Sequence, residues 1–386
     1  VLWGAGVAAV PADEGGPAAS PGRRWITGDL HVHVSPPDAP GHSKLDVAGA
    51  IARARGAGLD FVVLTPHSAD ELVPGDGGAA RTGQAFVAEA AAAALAAPPP
   101  AGPDGKPGPA LPPLVVVAGW EFTRTVPGHL GLSFFRMADV AKLDGDEKAR
   151  RVVEGGGLAV VNHPYFRPVK MAPLFERMIA ESRLEWSADR SWKPFLGVGR
   201  DALAWNAIEV WHERSVLVEK MHAAQAAQFP DTQMARDAFA AWDRAVREQR
   251  RRIVGVGGSD CHGRLPYALV PMRLVSVEVE TFDEEGLRRG LVAGRVTFGP
   301  DGGAAARDFA ATSDVPGERA EIGGTLRARA EVRLTWEGRA TLWEDGTSVG
   351  EFEGGAVRRL DPPGSFHAWR IRKAGDACSN MIHANL

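Results

Sequence analysis

Cysteine is almost absent: the 386-residue chain has only Cys261 and Cys378. Neither a disulfide framework nor a cysteine-based zinc site can be built from that pair, so any metal must rest on His, Asp and Glu. No run approaches the ~20 consecutive apolar residues of a membrane helix, so no membrane span is expected. An excess of one charge is also missing, with 44 Lys and Arg against 48 Asp and Glu and a net charge of -4. That balance gives no broad attraction for nucleic acid or an acidic membrane, and no nucleic-acid partner is expected.

What is there is ordinary globular composition, 45% hydrophobic and 24% charged. At ~150 residues per domain the length predicts two or three domains with a sizeable core. Val1 to Val10 is small and apolar and leads into the flexible stretch Pro11 to Arg24, so residues 1–24 are set apart as a flexible N-terminal segment. Two readings of it stand. As the remnant of an export signal it predicts a periplasmic or extracellular protein; as a plain terminus it predicts a cytoplasmic one.

The chemistry starts at Gly28-Asp29-Leu30-His31-Val32-His33, which closes a short alternating run. Residues i and i+2 of a strand share a face, so His31 and His33 project their imidazoles together, an arrangement suited to a transition metal. Two histidines on a strand are commonly just hydrogen-bonded, so the rest of the chain decides the matter. Leu59 to Thr65 reads as a parallel strand buried on both faces and is followed by His67. Leu114 to Ala118 reads as another and leads to Glu121; a strand over His129 to Arg136 opens with His129. Leu158 to Val161 delivers His163, Asn206 to Trp211 delivers His212, and Ile253 to Gly258 delivers Asp260 and His262. Helices are predicted over Leu45 to Ala57, Ala85 to Ala97, two stretches within Ser215 to Gln249, and Glu284 to Ala293. In a parallel β/α barrel the strand ends form one rim where groups distant in sequence converge.

Other segments read more plainly. Pro98 to Pro113 is dense in Pro and Gly and reads as an exposed insertion. Met171 to Trp205, with Trp186, Trp192 and Trp205, reads first as a packed insertion and second as a lid over the rim. From about Thr312 the pattern alternates in the β manner, with turns at Glu344-Asp345-Gly346 and Pro362-Pro363-Gly364. That stretch predicts a small antiparallel unit separable from the rest, in which His367 and His383 are structural or solvated.

The expected metal ligands are therefore His31, His33, His67, Glu121, His129, His163, Asp260 and His262, all nitrogen or oxygen donors. Eight such groups exceed what one tetrahedral zinc uses and point to two or three adjacent ions sharing a bridging carboxylate.

The ordered set GDLHVH, TPHSAD, GWEFT with GHL, NHPY, IEVWH and GGSDCH strongly resembles the PHP (polymerase and histidinol phosphatase) superfamily, in particular its carbaryl-hydrolase-like metallohydrolase branch. The resemblance covers about Trp25 to Pro300, and the tail around Ser379-Asn380-Met381-Ile382 is similar to one found in that branch. It implies an α/β fold: a distorted seven-stranded β/α barrel over residues 25–311, then a small antiparallel β domain over 312–386. It also implies two or three divalent ions (Zn, Mn or Fe). His31, His33, Glu121 and Asp260 would hold one ion, with Glu121 bridging, while His67, His129, His163 and His262 complete the others. Three departures stand out. Pro66 replaces the usual acid before His67, which removes a partner for that ring. Asp38 by spacing and His42 by chemistry compete for one loop-ligand role. His212 replaces an expected asparagine and is assigned to the pocket wall.

The function expected first is a metal-dependent hydrolase, a phosphoesterase on a small-molecule phosphate ester, using a metal-bridging hydroxide made available near neutral pH. Glu121, Asp260 and Arg264 are its expected catalytic residues. Arg124, Arg167 and Arg264 follow ligand motifs, and Arg264, two residues past His262, is the preferred clamp for a phosphate or carboxylate. Ranked next is a carbamate or carboxylic ester hydrolase. From another class comes a degenerate module that binds metal only as a structural staple.

Overall fold

Phe61-Val62-Val63-Leu64 is apolar at every position because both faces of that strand are covered; all four residues are buried. The computed structural model describes residues 22–74, 80–98, 110–123, 129–164, 204–212, 234–264 and 268–386. The elements in order are strand β1 (Arg24–Val32), helix α1 (Val47–Gly56), β2 (Phe61–Leu64), β3 (Leu72–Pro74), β4 (Ala80–Thr82), α2 (Gly83–Ala96), β5 (Val115–Ala118), β6 (Trp120–Phe122) and β7 (Leu130–Ser133). There follow α3 (Met137–Val140), α4 (Gly145–Glu154), β8 (Leu158–Val161), β9 (Ala207–His212), α5 (Met234–Gln249), β10 (Val254–Gly258), β11 (Val275–Val279), α6 (Glu284–Val292) and β12 (Val296–Phe298). Three of the helices start where a side-chain oxygen caps them: Asp46 accepts from the Gly49 N–H, Thr82 from Ala85 and Asp283 from Gly286.

The tail adds β13 (Ala310–Ser313), β14 (Arg319–Glu321), β15 (Thr325–Leu326), the long pair β16 (Glu331–Glu344) and β17 (Thr347–Arg359), then β18 (His367–Lys373), β19 (Cys378–Ser379) and β20 (Ile382–Ala384). These strands are not a separate sheet. One sheet runs β14-β13-β16-β18-β19-β12-β11-β1-β2-β5, and a second runs β10-β9-β8-β7-β6. The expected boundary between residues 311 and 312 falls inside β13, and the first sheet passes across it.

The fold is mixed α/β, but among the described residues the sheets do not close into the expected seven-stranded barrel. The reason lies at the edge of β1. Its first half, Arg24 to Gly28, pairs antiparallel with β11, so only its last residues remain free to meet the end of β10. They do so through a single bridge, Val32 to Cys261, with His33 N–H donating to the Cys261 carbonyl at 2.8 Å. Strand direction also departs from the all-parallel expectation. β1, β2 and β5 are parallel, as are β8, β9 and β10, whereas β7 runs antiparallel to both of its neighbours, β6 and β8. Glu121 accordingly sits within β6 and His129 just before β7, not at the ends of parallel strands.

Two ties bind the tail to the rest. The Asn380 side chain accepts from the Gly255 N–H at 2.7 Å and donates to the Gly255 and Val296 carbonyls. Arg370 is buried and grips Asp243 of α5 with two hydrogen bonds of 3.0 and 2.7 Å. The segment Met171 to Trp205, apart from Ala204 and Trp205, and the Pro-rich insertion, apart from its ends, lie outside the described residues.

Candidate metal centre

The alternation of β1 carries His31 and His33 to the same side, where their Nε2 atoms stand 3.2 Å apart. Asp260 arrives from the end of β10 with Oδ1 3.5 Å from His31 Nε2 and 3.3 Å from His33 Nε2. Glu121 arrives from β6, its Oε1 3.1 Å from His31 Nε2 and its Oε2 3.2 Å from His33 Nε2. These four form one group of donor atoms lying within 4.8 Å of one another. A second group is Glu121, His129 and His163, with Glu121 Oε1 3.0 Å from His129 Nδ1 and 3.2 Å from His163 Nε2. The third is His33, His42, His67 and His262. All eight residues expected as ligands are thus brought together. His42 joins them, while Asp38 reaches the Nδ1 of His33 at 3.4 Å and donates nothing to a group of its own.

Several groups that orient the donors escaped the sequence. Asn162 donates to Glu121 Oε1 at 2.9 Å. Glu209 of β9 stands 3.3 Å from His31 Nδ1 and accepts the His163 N–H at 2.6 Å. A lone acid inside the buried run Ala207-Ile208-Glu209-Val210-Trp211 was the available signal, since a buried carboxylate needs partners. The place of the missing acid at Pro66 is taken by backbone: His67 Nδ1 lies 3.2 Å from the Glu121 carbonyl, and Trp120 donates to the His67 carbonyl at 2.9 Å. His212 is buried beside the centre, its Nε2 3.9 Å from Asp260 Oδ2 and its ring 5.1 Å from that of His163. Arg264 Nε donates to the His42 carbonyl at 2.9 Å, which ties it to that loop. Arg124 and Arg167 lie outside the described residues.

Burial opposes charge on all these groups, and the carboxylates decide which imidazoles carry it. Glu121, Glu209 and Asp260 outweigh burial and hold His31 well above the usual imidazole value. Hydrogen bonds to Asp260, Asp38 and Glu121 do the same for His33. Burial and the nearby His33 cation push His67 down to about 3 and His262 well below its usual value. Glu121, despite burial, is held well below the carboxylate range by His129 and His31, and Asp260 by His262 and His31.

The donor set fits divalent ions. Imidazole nitrogens face each other, His31 to His33 at 3.2 Å and His42 to His262 at 3.1 Å, an approach that a hydrogen-bonding proton or a bound cation between the rings accommodates. Nitrogen and carboxylate donors without sulfur suit divalent metal ions. A cavity of about 730 Å³ elsewhere, lined by Phe134, Arg136, Arg151 and Arg288 among others, contains none of these donors.

No family model matches the chain, and no curated protein matches it. Among solved structures it is similar to a two-domain protein from Bacteroides vulgatus ATCC 8482 containing a predicted PHP-like metal-dependent phosphoesterase. That similarity has a TM-score of 0.42 and 13% identity, and covers 97% of this chain and 100% of the other.

Proposed function

We propose that this protein is a metal-dependent hydrolase holding two or three divalent ions (Zn, Mn or Fe), and that it acts on a small-molecule phosphate ester. One observation carries the proposal: three donor groups, two of them fully buried, overlap through His33 and Glu121, so ions held there would be neighbours. A purely structural site is closed by about four ligands and needs no such overlap. When bound, the ions would activate a water near neutral pH and stabilise charge on the attacked centre.

The chain's own residues set the geometry for that chemistry. Glu121 turns Oε1 towards His129 and His163 and Oε2 towards His33 and His67, the placement of a bridging ligand. The Asn162 amide fixes that rotation. His42 and His67 have side chains 29% and 21% exposed, against 10% or less for the other donors, so substrate meets the centre from their side. Arg264, tied to the His42 loop, stands on that side and would bind phosphate oxygens. The test is elemental analysis with a screen of metal-reconstituted protein against phosphomonoesters, phosphodiesters and carbamates. Two or three ions per chain with phosphoester turnover is the expected result. About one ion and no turnover would leave only a structural staple, and turnover confined to carbamates would move the substrate class.

A further inference from the structure

Glu209 has no place among the donor groups, yet it is buried to 2% exposure and touches two of them. We propose that Glu209 is a positioning residue that locks His31 and His163 together, so that their Nε2 atoms face the ions. The inference rests on the metal-centre reading above.

The geometry is specific to a carboxylate. Oε1 stands 3.3 Å from His31 Nδ1, on the opposite side of the ring from the Nε2 that faces Glu121 and Asp260. A proton held on Nδ1 leaves the Nε2 lone pair for a metal and raises its basicity. Oε2 accepts the His163 N–H at 2.6 Å. That bond replaces a strand partner: the β8 to β9 ladder ends at Val161 and Ile208, and His163 beyond it takes a left-handed backbone with φ of 26°. A non-glycine residue there needs outside support, and the Glu209 oxygen supplies it. An amide at 209 would keep one acceptor and turn the other into a donor, so it could accept from His31 or from His163 but not from both. β10 makes room for this carboxylate with Gly258, where any side chain would collide with Glu209 and with the His31 Cβ.

Two measurements test the role. In protein labelled with ¹⁵N-histidine, a slowly exchanging Nδ1–H resonance is expected for His31, assigned by its loss in His31→Gln, with or without Zn²⁺. In Glu209→Gln that resonance should shift or vanish and Zn²⁺ affinity should fall about 10–100-fold, as for loss of a partner that orients a ligand. A folded Glu209→Gln with wild-type Zn²⁺ affinity would overturn the proposal, as would a wild-type His31 bearing no proton on Nδ1. If the variant does not fold, the wild-type resonance decides. A wild-type protein that takes up no divalent metal sinks the hydrolase proposal, while the resonance still reports whether Glu209 holds His31.

Discussion

Asp260 follows β10 in a left-handed backbone, φ 52°, with its Oδ1 against three imidazoles. An aspartate at this position could instead cap a helix, but none among the described residues begins there. Asp260→Asn separates the two roles, because an amide still accepts a hydrogen bond but is a poor ligand for a divalent ion. Metal content should drop and turnover should fall by more than the roughly 10–100-fold of a lost orienting partner. A fully metallated, active variant would return Asp260 to a structural role. Glu121 and His42 should differ as well. Glu121 serves two donor groups and His42 one, at the more exposed edge. Steady-state kinetics should therefore show a larger loss for Glu121→Gln than for His42→Ala; equal losses would mean that Glu121 does not bridge.

At the scale of elements, α5 is held from both sides. Trp242 donates to the Ile253 carbonyl at 2.7 Å ahead of β10, and Asp243 pairs with Arg370 of β18. The pair is buried among Phe239, Trp242 and Trp343, whose faces the guanidinium covers at 4.4 to 5.7 Å. Removing one partner leaves a buried charge alone, so Arg370→Met should cost about 3–5 kcal/mol in urea unfolding. Adding Asp243→Leu should recover most of it, because two apolar groups of similar volume do without the desolvation cost. If the double variant is as unstable as the single, the ion pair is not the source of the loss. The strands themselves were readable: β2, β5, β8 and β10 lie where continuous apolar runs predict them, and α1, α2 and α6 where spacing and capping residues do. The antiparallel turn of β6 through β8 was not, because local periodicity does not report which way a neighbour runs.

For the whole molecule, the unbroken sheet and the Asn380 tie to β10 predict that removing residues 312–386 will unfold the chain. A soluble, metal-loaded fragment ending at 311 would show that the tail is an independent unit after all. Acid should act on the tail too. Burial, and then the Arg252 cation, push His383 down to about 4 from 6.5. Between those values the unfolded chain binds the extra proton, so stability rises with pH there. The contribution is complete above ~6.5 and lost as pH falls to about 4, on the order of 3 kcal/mol. Urea midpoints measured from pH 7 to 4.5 should fall more steeply for wild type than for His383→Leu; parallel slopes would remove His383 as a cause.

The candidate donors were legible in the sequence: His31 and His33 on one strand face, and the acids and histidines beside successive apolar runs, because the period of two and the apolar runs themselves are local properties. Only the tertiary structure decided how they are grouped. His42 falls within a donor group and Asp38 lies instead against the Nδ1 of His33, by distances between segments that no spacing reports. Glu209 became legible only when β9 lay between β8 and β10, bringing His31 and His163 to its two oxygens. The sheets stayed unclosed for the same kind of reason. β11 and the end of β10 compete for one edge of β1, and the backbone groups along that edge can each be paired only once.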